Sequence, residues 1–242
     1  MPPTLIYPAK DLEDLAGTNL LNQEGRLPIP NHVCLLRGPA GRIVLIDLGG
    51  GTGYPLPPEL DVRVGEEGML PDALRKQGVS PEDVTDVIFT HLHADHVGWA
   101  VNAQGTPSFA HARHYVHALE WRHWVERGSD EWVRERMLRL GELVELWEGE
   151  RLALAPWLTL FHTPGHTPGS CVAVAESGDL TAAFVGDLYH HPVEIERPEL
   201  TNNSDLDHAA AVEQRSVWAQ RLTERHATVF GTHFPGLAAV QL

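Results

Sequence analysis

Apolar positions along this chain come in short runs punctuated by Gly, Pro and Asp, a rhythm that predicts strands. The runs are Val33–Leu36, Ile43–Leu48, Val87–Thr90, Trp157–Phe161, Cys171–Ala175, Ala182–Val185 and Thr228–Gly231. Between them the pattern shifts to a helical period at Ala112–Arg127, Asp130–Leu140 and Asp205–His226. Leu70–Gly78 reads as a helix stopped by glycine, and Ser80-Pro81-Glu82-Asp83 as a helix start with Ser as cap and Pro at the first position. Strands interleaved with helices imply a layered α/β fold with sheets covered by helices. No repeat, low-complexity tract or linker-like segment interrupts the chain, so residues 1–242 are expected to form a single domain.

Charge narrows the partners. The formal net charge is −15, and Lys10 and Lys76 are the only lysines. No arginine run would track a phosphate backbone, so a nucleic-acid partner is not expected. No apolar run approaches the ~20 residues that span a bilayer, so no membrane partner is expected either. Met1-Pro2-Pro3-Thr4 lacks the basic and apolar start of a secretory signal, and a cytoplasmic location is the expectation. Cys34 and Cys171 are too few for a disulfide framework and, lying in strand-like runs, read as buried thiols.

Fifteen histidines change the picture, because imidazole is the commonest protein metal ligand and many of these residues cluster. Thr90-His91-Leu92-His93-Ala94-Asp95-His96-Val97-Gly98 directly follows the strand Val87–Thr90. Alternation projects His91 and His93 to one side, and as the chain turns toward a helix Asp95 and His96 face a neighbouring position. Three more candidates each follow an apolar strand: His166 in Thr163-Pro164-Gly165-His166-Thr167-Pro168-Gly169, Asp187 in Val185-Gly186-Asp187, and His233 in Gly231-Thr232-His233. Ligands just beyond strand ends collect along one sheet edge, and an imidazole and carboxylate set suits Zn, Mn or Fe.

This order of motifs resembles the metallo-β-lactamase fold superfamily from Asp47 to His233. The resemblance implies a four-layer αβ/βα sandwich of two mixed β-sheets flanked by helices. It also implies two divalent metal ions, zinc before Mn or Fe. His91, His93 and His166 would hold one, Asp95, His96 and His233 the other, and Asp187 would bridge them. Asp47-Leu48-Gly49 is similar to the family's Asp-Thr-Gly turn that supports the ligand loop, with Leu48 in place of Thr.

A paired metal site lowers the pKa of a shared water toward ~7 and polarises a carbonyl or phosphoryl oxygen, so no protein nucleophile is needed. Consistently, no Gly-x-Ser-x-Gly elbow or phosphate-binding Gly-Lys loop occurs. Asp187-Leu188-Tyr189-His190-His191-Pro192 looks most like the branch of N-acyl-homoserine lactonases and methyl-parathion-hydrolase-like enzymes. That likeness implies hydrolysis of a small-molecule lactone, related ester or phosphotriester. A mononuclear-iron persulfide dioxygenase and a β-lactam or phosphodiester hydrolase of the same fold are the alternatives, and a homodimer is the assembly allowed for. Asp95 and Asp187 would serve catalysis as metal-site carboxylates. Tyr189 and His190 are the candidates to donate a hydrogen bond to the reacting oxygen, and alternation turns only one of them to the metals; His190 is assigned that side. His114, His117, Trp121 and Trp124 recur at helical spacing, a packed face or an aromatic wall beside the metals. Asn31 and His32 precede the first core strand and are candidates for the site's rim.

Overall fold

The computed structural model describes residues 1–15, 20–51, 70–236 and 239–242. These residues separate into two compact units, one drawn from residues 1–32 and 150–242, the other from 33–51 and 70–149. Each is built on its own mixed sheet with its own helices.

The first unit opens with α1 (Ala9–Asp14). In the second unit, strands β1 (Cys34–Arg37), β2 (Ile43–Ile46), β3 (Asp86–Ile88), β4 (Arg113–His117) and β5 (Val144–Trp147) hydrogen-bond in sequence order. β1 and β2 form an antiparallel hairpin, and the remaining pairs are parallel. Helices α2 (Leu70–Lys76), α3 (Ala94–Val97), α4 (Ala118–Trp121) and α5 (Glu131–Leu140) complete this unit. α5 starts on a side-chain cap, the Asp130 carboxylate accepting from Val133 N, and stops at Gly141. The core is one cluster in which Leu45, Val87, Phe89, Leu92, Val116 and Met137 are buried.

In the first unit, β6 (Arg151–Ala155), β7 (Leu158–His162), β8 (Cys171–Ser177), β9 (Leu180–Phe184), β10 (Thr228–Phe230) and β11 (Ala239–Gln241) form a sheet of order β11-β10-β9-β8-β7-β6. All its pairs are antiparallel except β9 with β10. α6 (Val193–Glu196) and α7 (His208–Glu224) belong to it, α7 beginning where the Asp207 side chain accepts from Ala210 N. Since β8 reverses the chain between them, β7 and β9 run the same way as β10. The segments that follow these three strands therefore leave one edge of the sheet, and they carry His166, Asp187 and His233.

The helix predicted over Ala112–Arg127 is not what forms. Arg113–His117 is the strand β4, paired on both sides, and only Ala118–Trp121 and a single π-helical turn at Arg122–Glu126 are helical. A strand buried inside a parallel sheet carries apolar and aromatic residues on both faces, so it lacks the period-two signature. His114 and His117 consequently share no helix face with Trp121 and Trp124. The predicted helix start at Ser80 yields one 3₁₀ turn, Pro81–Asp83, closed by a capping box in which Asp83 accepts from Ser80 N at 2.8 Å and Ser80 Oγ at 2.7 Å. No helix among the described residues is long and apolar enough to cross a membrane.

Candidate metal centre

The ligand loop of the second unit begins where β3 ends. Leu92 is fully buried in the core, and the flanking His91 and His93 turn away from it. Their rings meet edge-on, with His91 Nε2 and His93 Nδ1 2.9 Å apart. The next residues form α3, one turn that presents Asp95 half-buried and His96 buried. The His91 and His96 ring centroids lie 3.9 Å apart.

Asp47 holds this loop together. It takes a left-handed backbone conformation, φ 57°, which a short polar side chain tolerates better than most. Its carboxylate accepts from Thr90 N at 2.8 Å and Thr90 Oγ1 at 2.7 Å, and from His96 Nδ1 at 2.8 Å. Because the Thr90 hydroxyl proton goes to Asp47, its oxygen is left to accept from His91 Nδ1 at 3.2 Å. Leu48 N donates to His96 O at 2.7 Å and Gly98 N to Gly49 O at 2.7 Å, so the turn after Asp47 and the α3 loop are laced backbone to backbone. Gly98 permits that approach: a Cβ there would lie 2.0 Å from the carbonyl carbon of Gly50.

One support on the far side of this loop, Glu120, escaped the sequence analysis. Glu120 is buried and accepts from Leu92 N at 2.9 Å and from Trp124 Nε1 at 2.5 Å. Trp124, so anchored, packs edge-on to His93 at 5.1 Å. Of the four residues grouped by helical spacing, Trp124 lies against a ligand candidate. His117 caps α4 through Nδ1, accepting from Leu119 N at 3.3 Å, and His114 stacks on Phe89.

In the first unit Asp187 is the hub. Its Oδ2 lies 3.4 Å from His166 Nε2 and 3.2 Å from His190 Nε2, and its Oδ1 lies 3.3 Å from His233 Nε2. All four side chains are buried. Behind them, His166 Nδ1 donates to Asp205 Oδ1 at 3.2 Å, and Asp205 Oδ2 is clamped by both terminal nitrogens of the fully buried Arg215. His233 Nδ1 donates to Pro30 O at 2.7 Å, while His32 N donates to Thr232 O and His32 Nε2 to Phe234 O. Residues 30–32 therefore brace the His233 segment from behind.

Tyr189 and His190 take opposite sides. The Tyr189 ring lies in the apolar cluster with Val172, Leu188 and Trp218, and its hydroxyl donates to Arg215 O at 2.6 Å. That hydroxyl is committed to the backbone, which corrects its candidacy as a donor to a reacting oxygen. His190 stacks on His233, with ring centroids 5.4 Å apart.

The donor chemistry fits a divalent cation. Imidazole Nδ1 protons are held by acceptors in His91, His96, His166 and His233, so the neutral form of each ring carries its lone pair on Nε2, the form in which histidine binds metal. Electrostatics point the same way. Burial pulls the His166 pKa down, but hydrogen bonds and charge from Asp187 and Asp205 outweigh it and hold the group up at about 9. Burial raises the Asp205 carboxyl, and His166 and Arg215 more than offset that and lower it. Positive charge is favoured between these carboxylates. Asp205 and Glu120 escaped the sequence analysis because they act on His166 and Leu92 from 39 and 28 residues away, and Arg215, Asn202 and Glu194 because no motif marks them.

Comparison with known proteins agrees with this geometry. The model of the metallo-beta-lactamase superfamily matches residues 27–233. An N-acyl homoserine lactonase from a Bacillus species is 32% identical over 107 residues, 44% of this chain and 39% of the lactonase. Metallo-beta-lactamase domain-containing protein 1 of Xenopus laevis is 33% identical over 159 residues, 65% of this chain and 53% of that protein. These matches thus span between two fifths and about half of the curated relatives' length. The solved structure of AidC, a dizinc quorum-quenching lactonase in complex with a product, aligns with a TM-score of 0.74 at 21% identity, over 87% of this chain and 74% of that one.

Proposed function

The chain belongs to the metallo-β-lactamase superfamily, and from that premise we propose that it is a dinuclear metal hydrolase that opens lactones or cleaves related esters. Two divalent ions, zinc by preference, would be held by His91, His93 and His166 on one side and by Asp95, His96 and His233 on the other, with Asp187 shared. When bound, they would supply Lewis acidity and a hydroxide at neutral pH.

The observation that carries this reading is the common orientation of the histidines. Side chains from Asp47, Thr90 and Asp205, and the Pro30 carbonyl, each hold an Nδ1–H, leaving the Nε2 lone pairs of His96, His91, His166 and His233 as ligands. Such outer partners are what a metal site needs, and a histidine-rich solvated loop has no use for them. The protein's remaining tasks are to orient the substrate and to stabilise charge on its oxygen. His190 would serve the second, a role supported by its position beside Asp187 and by the Asn202 contact that pins its ring. A lactone suits this arrangement because its ring-opening releases an alkoxide, which one hydrogen-bond donor stabilises.

The test is elemental analysis together with a hydrolysis screen on metal-reconstituted protein. Near two metals per chain and turnover of lactones ahead of β-lactams, phosphotriesters and phosphodiesters is the expected result. A chain that binds no divalent metal would end the proposal. One iron per chain with thiol oxygenation and no hydrolysis would replace it with an oxygenase.

A further inference from the structure

His190 differs from His91, His96, His166 and His233 in one respect that decides its role. Its Nε2 lies with the Nε2 of His233 and an Asp187 oxygen inside a cluster whose ligand atoms are all within 4.8 Å of one another, so by position alone it is a third candidate metal ligand. Its other ring nitrogen, however, faces a donor. Asn202 Nδ2 is 2.8 Å from His190 Nδ1.

The direction of that hydrogen bond depends on which end of the Asn202 amide is nitrogen, and the surroundings settle it. Asn202 Oδ1 accepts from the backbone N–H of Ser204 at 3.0 Å, a group that only donates, and also from Ser204 Oγ at 2.6 Å. Rotating the amide would set its NH₂ against Ser204 N–H. Asn202 Nδ2 also points at Glu194 Oε1, 3.4 Å away. Glu194 is itself fully buried and held by Tyr7 Oη at 2.9 Å and by His190 N at 2.5 Å. Asn202 is fully buried too, so no water competes for its amide.

We propose that Asn202 is a positioning residue that locks His190 as the Nε2–H tautomer, making this histidine a fixed hydrogen-bond donor inside the metal-binding cluster and excluding it from the ligand set. With Nδ1 accepting from Asn202, the single proton of a neutral imidazole resides on Nε2. That N–H points to Asp187 Oδ2 at 3.2 Å and to Ser204 Oγ at 3.4 Å, an oxygen free to accept because its own proton goes to Asn202. His91, His96, His166 and His233 are thus told apart from His190 by one rule: an acceptor behind the ring makes a ligand, and a donor behind it makes a hydrogen-bond donor. The catalytic use of this donor rests on the hydrolase reading above, but the tautomer does not.

The test is long-range ¹H–¹⁵N NMR on the full-length zinc-loaded chain, with the His190 signal identified by its loss in His190→Gln. The expected spectrum places the proton on Nε2 in the wild type. Asn202→Asp puts an acceptor behind the ring and should move the proton to Nδ1. It should also lower kcat for a lactone by ~10²-fold, the scale of a lost donor to a developing oxyanion, with KM little changed. A wild-type signal protonated at Nδ1, or an Asn202→Asp protein in which the proton stays on Nε2, overturns the proposal. Should Asn202→Asp not fold beside Glu194, the wild-type spectrum alone decides. If no lactone is turned over while His190 reads as Nε2–H, the hydrolase substrate falls and this inference stands.

Discussion

The two units support their candidate ligands by different means. In the second unit His91, His93, Asp95 and His96 lie within six consecutive residues, and one carboxylate, Asp47, holds the backbone, the threonine and a histidine of that loop at once. In the first unit His166, Asp187 and His233 come from the ends of three strands. Each histidine has its own support: Asp205 with Arg215 behind His166, the Pro30 carbonyl behind His233, Asn202 behind His190. A contiguous loop needs one brace because its members are already covalent neighbours. Dispersed ligands need one each, since nothing but the sheet edge relates them. The first arrangement concentrates risk in a single residue, and the second spreads it.

The largest effect should come from the hub that the dispersed ligands share. Asp187→Ala is expected to abolish turnover and to lower bound metal by about half, read by activity and elemental analysis. Full metal content with near-normal rate would show that Asp187 shares no ion. Next comes the dispersed support most deeply buried. Arg215→Leu leaves the Asp205 carboxylate buried without its cation, and a loss of about 3–5 kcal/mol in urea unfolding is expected. A cost under about 1 kcal/mol would mean the pair is replaceable by packing.

Gly98→Ala attacks the contiguous loop through its backbone. The new methyl would collide with Gly50, whose backbone has no flexible end to give way, so a destabilisation of about 3 kcal/mol is expected by chemical denaturation. Asp47→Asn keeps the shape but removes the charge, and metal affinity should fall ~10–100-fold while unfolding changes less than for Gly98→Ala. If Asp47→Asn binds metal normally, the loop is held by its backbone lacing and the single-brace account fails.

The smallest effect separates two buried histidines. Asp187 and Asp205 hold the His166 pKa up at about 9, a preference for positive charge that a bound cation would satisfy, whereas burial pushes His114 down to about 4, only partly opposed by its bond to Ala112 O. Above pH 6.5 His114 is neutral in both folded and unfolded chains and contributes no pH dependence. As pH falls below 6.5 the unfolded chain takes the proton first, so stability drops until the folded value near 4 is passed. His114→Phe should flatten that part of the profile, measured as the difference in urea stability between pH 7 and pH 5. An unchanged slope would assign the acid sensitivity to other groups.

Much of the scaffold was legible from the chain because short strands bounded by Gly, Pro and Asp leave a local signature. The strands that escaped were of two kinds. β4 is buried between parallel neighbours and carries no alternation, so its aromatic and histidine content imitated a helix. β5, β6 and β11 are edge strands, short and partly solvated, and Val144-Glu145-Leu146-Trp147 or Arg151-Leu152-Ala153 look no more regular than loops. The side-chain assignments divided in the same way. Alternation along Tyr189-His190 is a local property, whereas the partner that occupies the Tyr189 hydroxyl, Arg215 O, lies 26 residues away.

By itself the sequence determined which residue types stand just beyond which strands, and hence the ligand chemistry, because residue identity and strand ends are set within a few positions of each other. The tertiary structure decided which ring nitrogen of His96, His166 and His233 faces an acceptor. That choice is made by whatever lies behind the ring: Asp47 is 49 residues from His96, Asp205 is 39 from His166, and Pro30 is 203 from His233. The same imidazole becomes a ligand or a donor according to its partner, and only folding brings the partner.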